Sequence, residues 1–346
     1  MRTTTTTTRR RTVALGSALA LTAALAACGS DDPSSGAETG ATGGAEQEVL
    51  EVDFGYISDF NGASLLAVAE DQGLWEANGL DVTTSTFTNG PLQIQALGTG
   101  DLDFGYIGPG AFWLPESGQA KIVAINTIGD ADRVIAQPGI ESVADLAGRT
   151  VGVPQGTSGD MILTLALQDA GLTKDDVEVV NMDAATLVPA FSSGQIDAAG
   201  FWYPAISTIE ESVPDLNELA KNSDFEDVMA FPTAFVAGED VVDEEQEKVE
   251  RVLAVLREAN DFRAENLDET VQLTADFLQL DPEQVAADAQ NSRLMTTAEL
   301  DAATEDGTVD GWLEAMGDFF VEAGQLQEVP DPSTVYTGDL YTSAGE

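Results

Sequence analysis

One short phrase occurs twice in this 346-residue chain, and it limits the architecture more than any other feature. Leu97-Gly98-Thr99-Gly100-Asp101-Leu102-Asp103 and Phe191-Ser192-Ser193-Gly194-Gln195-Ile196-Asp197 each read as a helix end, a glycine turn, an aliphatic residue, an aspartate and the start of a strand. Around the first copy, strand patterns at 49–57, 80–87, within 100–107 and at 121–125 alternate with helical patterns at 63–77, 91–97 and after Gly108-Pro109-Gly110. Around the second, strands at 133–137, 150–154, 177–181 and within 194–199 alternate with a helix ending at Gly171 and one at 184–192. Such alternation produces mainly parallel sheets with helices on their faces, so the chain is an α/β protein with two lobes of similar plan. A strand returns at 233–236, and the remainder is helical: 244–266, 269–277, 282–289, a Thr296-x-x-Glu299 capping box and 311–323. The residues from 329 onward read as an extended wrap or a loose tail.

The N-terminus obeys different rules. Arg9-Arg10-Arg11 precedes an apolar run from 13 to 27, followed by Cys28 and Gly29. The run is too short to span a bilayer comfortably, and a basic start with small residues before the cut describes a secretory signal. Leu25-Ala26-Ala27-Cys28 also looks like the bacterial lipobox, and Cys28 is the sole cysteine of the chain. Residues 1–27 are therefore expected to be a lipoprotein signal peptide, with Cys28 as the lipidation site. Residues 28–48 are rich in Gly, Ser, Thr, Ala and acid, and read as a disordered tether. A basic start with Arg10-Arg11 suits the general and the twin-arginine export routes alike. Either route leaves the domain lipid-anchored on the extracytoplasmic face of the cell membrane.

The formal net charge is -47, which excludes nucleic acid as a main partner and describes a heavily solvated surface, suited to high salt. The chain has no histidine, and no cysteine beyond the lipid site. The usual general base and the usual soft metal ligands are therefore missing. No catalytic residue, metal or cofactor is expected, and the chain does not read as an enzyme.

Five phrases in order carry a family likeness: Gly73-Leu74-Trp75-Glu76-Ala77-Asn78-Gly79-Leu80-Asp81-Val82, Gly100-Asp101-Leu102-Asp103-Phe104-Gly105, the run from Asp145 through Gly148-Arg149-Thr150 to Val153, Gly194-Gln195-Ile196-Asp197-Ala198, and Trp202-Tyr203-Pro204. They resemble the nitrate/sulfonate/taurine-type substrate-binding proteins of ABC importers, over about 49–323. The resemblance implies a type II periplasmic-binding-protein fold, with two α/β lobes joined by two crossover strands and a helical C-terminal portion. The crossings are expected at 133–137 and 233–236. The domain plan is then 49–133 for the first part of lobe one, 134–232 for lobe two, 233–325 for the second part of lobe one, and 326–346 for a C-terminal tail. Implied partners are a small-molecule solute and a membrane ABC permease, with the receptor itself a monomer. Enzymes of similar fold exist: a pyrimidine synthase whose chemistry depends on histidine, and a desulfinase with a nucleophilic cysteine. The mature domain offers neither group.

Candidate binding residues cluster where strands end. The turn Gln155-Gly156-Thr157-Ser158-Gly159 joins a strand to a helix, and leaves free N–H groups at the positive end of that helix's dipole. Thr157, Ser158 and Gly159 are therefore candidates for a polar ligand, although Thr157 or Ser158 could simply cap the helix. Asp160 either points away as a dipole partner or receives a ligand ammonium. In lobe one the candidates are Ser58, Asp59 and Asn61, Asn89 with Gly90, and Gly108; local hydrogen bonding is the plainer role for such turn residues. Asp59 is a second possible ammonium partner. Trp202 and Tyr203, with Phe112 and Trp113, could clamp an apolar part of the ligand, or simply pack. Between 30 and 171 the only cations are Lys121, Arg133 and Arg149, with Arg133 best placed. That scarcity disfavours a rigid anion such as nitrate. An organosulfonate such as taurine, or a similar zwitterion, is the first expectation; a thiamine-precursor pyrimidine or other nitrogen heterocycle is the second. Outside transport stand a sensory receptor and an enzyme of the same fold.

Overall fold

The structure, a computed structural model, describes residues 48–345. The signal segment, Cys28 and nearly all of the tether lie outside the described residues. Two separate sheets organise the rest. The first contains β1 (Leu50–Ile57), β2 (Leu80–Phe87), β3 (Phe104–Ile107), β4 (Lys121–Gly129), β10 (Pro232–Ala237) and β11 (Ser292–Leu294), in the order β11-β4-β10-β3-β1-β2. The second contains β5 (Asp132–Ala136), β6 (Thr150–Val153), β7 (Glu178–Asn181), β8 (Ala198–Trp202) and β9 (Asn217–Lys221), in the order β7-β6-β8-β5-β9. In both sheets the strands linked by helices pair in parallel, β1 with β2 and β3, and β6 with β7 and β8. The strands that follow a change of lobe, β5 and β10, run antiparallel to their neighbours. This is the two-lobed α/β architecture of periplasmic binding proteins.

The chain leaves lobe one after Gly129 and enters lobe two at Asp132; it leaves lobe two after Lys221 and re-enters lobe one at Pro232. The strands expected at 133–137 and 233–236 are thus β5 and β10, each the first strand after a passage, and the passages themselves are 130–131 and 222–231. Strands β9 and β11 had no clear sequence signal. Both lie at sheet edges, where Asn217-Glu218-Leu219 and Ser292-Arg293-Leu294 need no apolar alternation.

Lobe one is built on the apolar run of β1. The rings of Phe54, Phe104 and Phe235 from β1, β3 and β10 meet at 5.6 and 5.7 Å and are wholly buried. Burying each such side chain contributes about 1.5–3 kcal/mol. Against this sheet lies the helix Phe60–Asp71, whose small apolar residues are buried on every side from Phe60 to Ala69. It starts three residues before the expected position because Asp59 caps it, accepting from Gly62 N at 2.6 Å. The helices Gln246–Glu265 and Leu267–Leu278 cover its far side. The C-terminal segment wraps back on this lobe, with Ile122 N donating to Val335 O at 2.9 Å and Thr337 N to Ile122 O at 3.0 Å.

In lobe two the helix Ser158–Asp169 sits directly on β8, and two glycines make that possible. A Cβ on Gly159 would lie 2.4 Å from Gly200 O, and one on Gly200 would lie 2.1 Å from Gly159 O. The contact fixes the start of this helix at the mouth of lobe two. Among the described residues no helix is long and apolar enough to cross a membrane.

Candidate functional site

The C-terminal ends of β1 and β3 face the start of the Ser158–Asp169 helix, and between them lies a cavity of about 40 Å³. Lobe one lines it with Ile57, Asp59, Asn61, Asn89, Gly90, Tyr106, Gly108, Thr233 and Asp288, among others; lobe two contributes Asp132, Thr157, Ser158, Trp202 and Tyr203. Open α/β sheets collect ligands at such strand ends. The lobes touch directly beside the cavity. A Cβ on Gly110 would lie 2.1 Å from the Thr157 carbonyl carbon and 2.2 Å from Ser158 N, and Trp113 Nε1 donates to Gly156 O at 3.3 Å.

Each wall is held by its own hydrogen bonds. Asp59 and Asp288 share the start of the Phe60–Asp71 helix: Gly62 N donates to Asp59 Oδ1, and Phe60 N donates to Asp288 Oδ2 at 2.7 Å. Asn61 accepts at Oδ1 from Thr127 Oγ1 at 3.1 Å and from Ser292 Oγ at 2.8 Å, while its backbone oxygen accepts from Asn126 Nδ2 at 2.8 Å. Asn89 caps its helix, accepting from Leu92 N at 3.0 Å. Across the gap, the Thr157 hydroxyl donates to Pro154 O at 2.6 Å rather than capping its helix. The Trp202 ring lies 4.5 Å from that of Phe201. Tyr203 hydrogen-bonds Glu210 at 3.0 Å, with the Arg133 guanidinium 5.4 Å from its ring centre.

Three expected residues do not reach the cavity. Ser58 is exposed, one position before the cap. Gly159 is occupied in the helix–strand contact with Gly200. Asp160 is buried away from the cavity: Lys174 Nζ lies 2.6 Å from its Oδ1 and Gly156 N donates to its Oδ2 at 3.1 Å. Phe112 is fully buried in the core, and Trp113 makes the interlobe contact already described. The cations are spent elsewhere, Lys121 on Glu239, Arg149 on Asp197, and Arg133 on Glu218 at 2.8 Å and on the Asp130, Asp132 and Asn291 oxygens. Sequence reasoning missed Asp132, Asp288, Tyr106 and Thr233. A strand-start aspartate beside a crossing was a usable signal for Asp132; Asp288 sits inside one of many acidic helices and gave none.

Electrostatics sets this cavity apart. Asp59, Asp132 and Asp288 are 7 %, 4 % and 2 % exposed, and no cation pairs with any of them among the described residues. Burial, and then the nearby Asp288 charge, push Asp59 well above the usual carboxylate range. Burial raises Asp288 to about 7 and Asp132 to about 6, the latter held back by hydrogen bonds from Ser158 and Asn222. The Tyr106 hydroxyl is likewise pushed up, by burial and then by the Asp59 charge.

Two α/β lobes that share the lining of one polar cavity have the arrangement of the periplasmic binding proteins. The chain belongs to the NMT1/THI5-like family, whose sequence pattern matches residues 62–270. A Brucella abortus (strain 2308) protein named only as a binding protein is 54 % identical over 294 residues, which cover 85 % of this chain and 92 % of that one. The alkanesulfonate-binding protein SsuA from Xanthomonas axonopodis pv. citri superposes with a TM-score of 0.66 at 20 % identity, covering 84 % of this chain and 98 % of its own. The ligand-binding component of an ABC-type import system from Staphylococcus aureus gives 0.69 at 13 % identity, with 86 % and 99 % covered. The desulfurization enzyme DSZB gives 0.62 at 17 % identity, with 85 % and 98 % covered. At such identities these structures establish the fold alone.

The raised carboxyls make a prediction about pH. The folded chain holds their protons more tightly than the unfolded chain does. Their contribution to stability is therefore complete below about pH 4 and is lost as the pH rises through about 6 for Asp132 and about 7 for Asp288. Asp288→Asn can still accept from Phe60 N. It should match the parent melting temperature at pH 4 and exceed it at pH 8, by about 2–4 °C per kcal/mol recovered. Thermal melts at both pH values check this, and an equal displacement at both would contradict it.

Proposed function

We propose that this protein is the extracytoplasmic receptor of an ABC importer, which captures a small organic solute between its lobes and presents the closed form to a membrane permease. The observation that carries the reading is the cavity itself: each lobe supplies part of its lining, so a solute that touches both favours the closed arrangement. The family membership and the shared fold with an import-system component support it. A non-transport sensory receptor would use the same closure, but nothing in the cavity favours it. Catalysis is disfavoured because no cavity residue is a histidine or cysteine.

The solute bears nitrogen. Both ligand classes anticipated from the sequence, a taurine-like zwitterion and an amino-substituted heterocycle, present N–H groups to Asp59 and Asp132, and Trp202 with Tyr203 offers a surface for an apolar part. Sulfonate-binding SsuA supports the zwitterion by analogy of fold. The receptor acts as a monomer, anchored through lipid on Cys28.

Two outcomes test this. Purified mature domain, incubated with bacterial cell extract, desalted and then denatured, should release a small organic solute detectable by mass spectrometry. Gly110→Ala, whose methyl group would meet the Thr157 backbone and hold the lobes apart, should release only background amounts. Equal retention by both proteins, or none by either, would contradict closure around a solute. For the anchor, Cys28→Ala should move the protein from the detergent phase to the aqueous phase in detergent partitioning; continued retention in detergent would remove the lipid from the account.

A further inference from the structure

Resting on the receptor reading above, we propose that the solute is an organic cation rich in N–H donors, held by Asp59, Asp132 and Asp288, and that strong organic anions such as sulfonates are excluded. Two features lead there. The first is the charge on the walls. All three carboxylates line one cavity, two from lobe one and one from lobe two, each more than nine-tenths buried and none salt-bridged among the described residues. No lysine or arginine lines the cavity.

The second feature is where the donors have gone. A sulfonate needs N–H or O–H groups aimed at it. The Thr157 hydroxyl gives its proton to Pro154 O. At the Phe60–Asp71 helix, the N–H groups that would welcome an anion already serve Asp59 and Asp288. The lining keeps the Ser158 and Tyr106 hydroxyls and the Asn89 amide as neutral donors but offers no cation, while its three carboxylates, the Thr157 lone pairs and the ring faces of Trp202 and Tyr203 suit a positive ligand.

The aromatic side of the cavity, Trp202 and Tyr203, would take the ligand's uncharged part. A taurine-like zwitterion places its ammonium well but sets its sulfonate among carboxylates with no lysine or arginine to offset it, so the nitrogen heterocycle or amidine class is preferred.

A size-matched pair of planar probes tests the assignment at constant ionic strength: benzamidine, a cation at pH 8, and benzenesulfonate, with taurine as a third arm. Benzamidine should raise the melting temperature, and more at pH 8 than at pH 5, because the carboxylates must release protons to receive it. The sulfonate and taurine should give no shift beyond that of sodium chloride. By isothermal titration, Asp59→Asn with Asp288→Asn should weaken benzamidine binding by about tenfold or more. Asp132→Asn alone provides the same readout should the double variant fail to fold. The proposal is overturned if either sulfonate stabilises as well as benzamidine, if benzamidine gives no shift at either pH, or if the variants bind it unchanged. Stabilisation by a sulfonate would leave the receptor reading standing and remove only the cation; release of no solute from cell extract is the separate result that would remove the receptor.

Discussion

The cavity exists because one backbone comes to rest against another. Gly110 of lobe one meets the Thr157–Ser158 peptide of lobe two at a distance that leaves no space for a side chain. Trp113 adds a hydrogen bond to Gly156 just alongside. That contact sets how far the lobes approach, and hence how large a space is left between the strand ends of one and the helix start of the other. It also depends on a second close approach, Gly159 against Gly200, which seats the helix on its own sheet and so fixes where Thr157 and Ser158 stand. A methyl group at either contact would change the binding space without touching a ligand.

Within that space, two helix starts that are generically suited to anions have been given to the chain's own acids. Asp59 and Asp288 take the amides of the Phe60–Asp71 helix, while Gly156 N at the turn before the Ser158–Asp169 helix is taken by Asp160. The fold is shared with a protein that binds alkanesulfonates, yet the cavity charge here has the opposite sign to what a sulfonate asks. Fold therefore locates the site, whereas the side chains decide its occupant. The cost of burying like charges is offset by protonation when the cavity is empty and by a cation when it is filled, which ties solute capture to proton release.

Much of this was legible in the sequence, for identifiable reasons. The repeated glycine–aliphatic–aspartate phrase marked both lobes because helix-to-strand turns need those residues. Asp59, Asn89, Thr157 and Trp202 were recognisable because each lies at a strand end, where α/β proteins place ligands. Asp288 was not, because its role comes from a hydrogen bond to Phe60, 228 positions away in the chain. Local sequence makes Gly159 a ligand candidate and leaves Asp160 between ligand group and dipole partner; packing against Gly200 and pairing with Lys174 are visible only in three dimensions. Arg133 looked available until Glu218, 85 positions on, was found beside it.

The central claim is that a solute held by both lobes draws them together. Spin labels at Leu92 and Asp183, exposed residues from opposite lobes that border one surface cleft at the mouth, would report the gap by double electron–electron resonance in a Cys28→Ser background. The account expects a broad distribution of long distances in thoroughly dialysed protein, which collapses to one short, narrow distance after incubation with cell extract. A distribution that is the same before and after would contradict it.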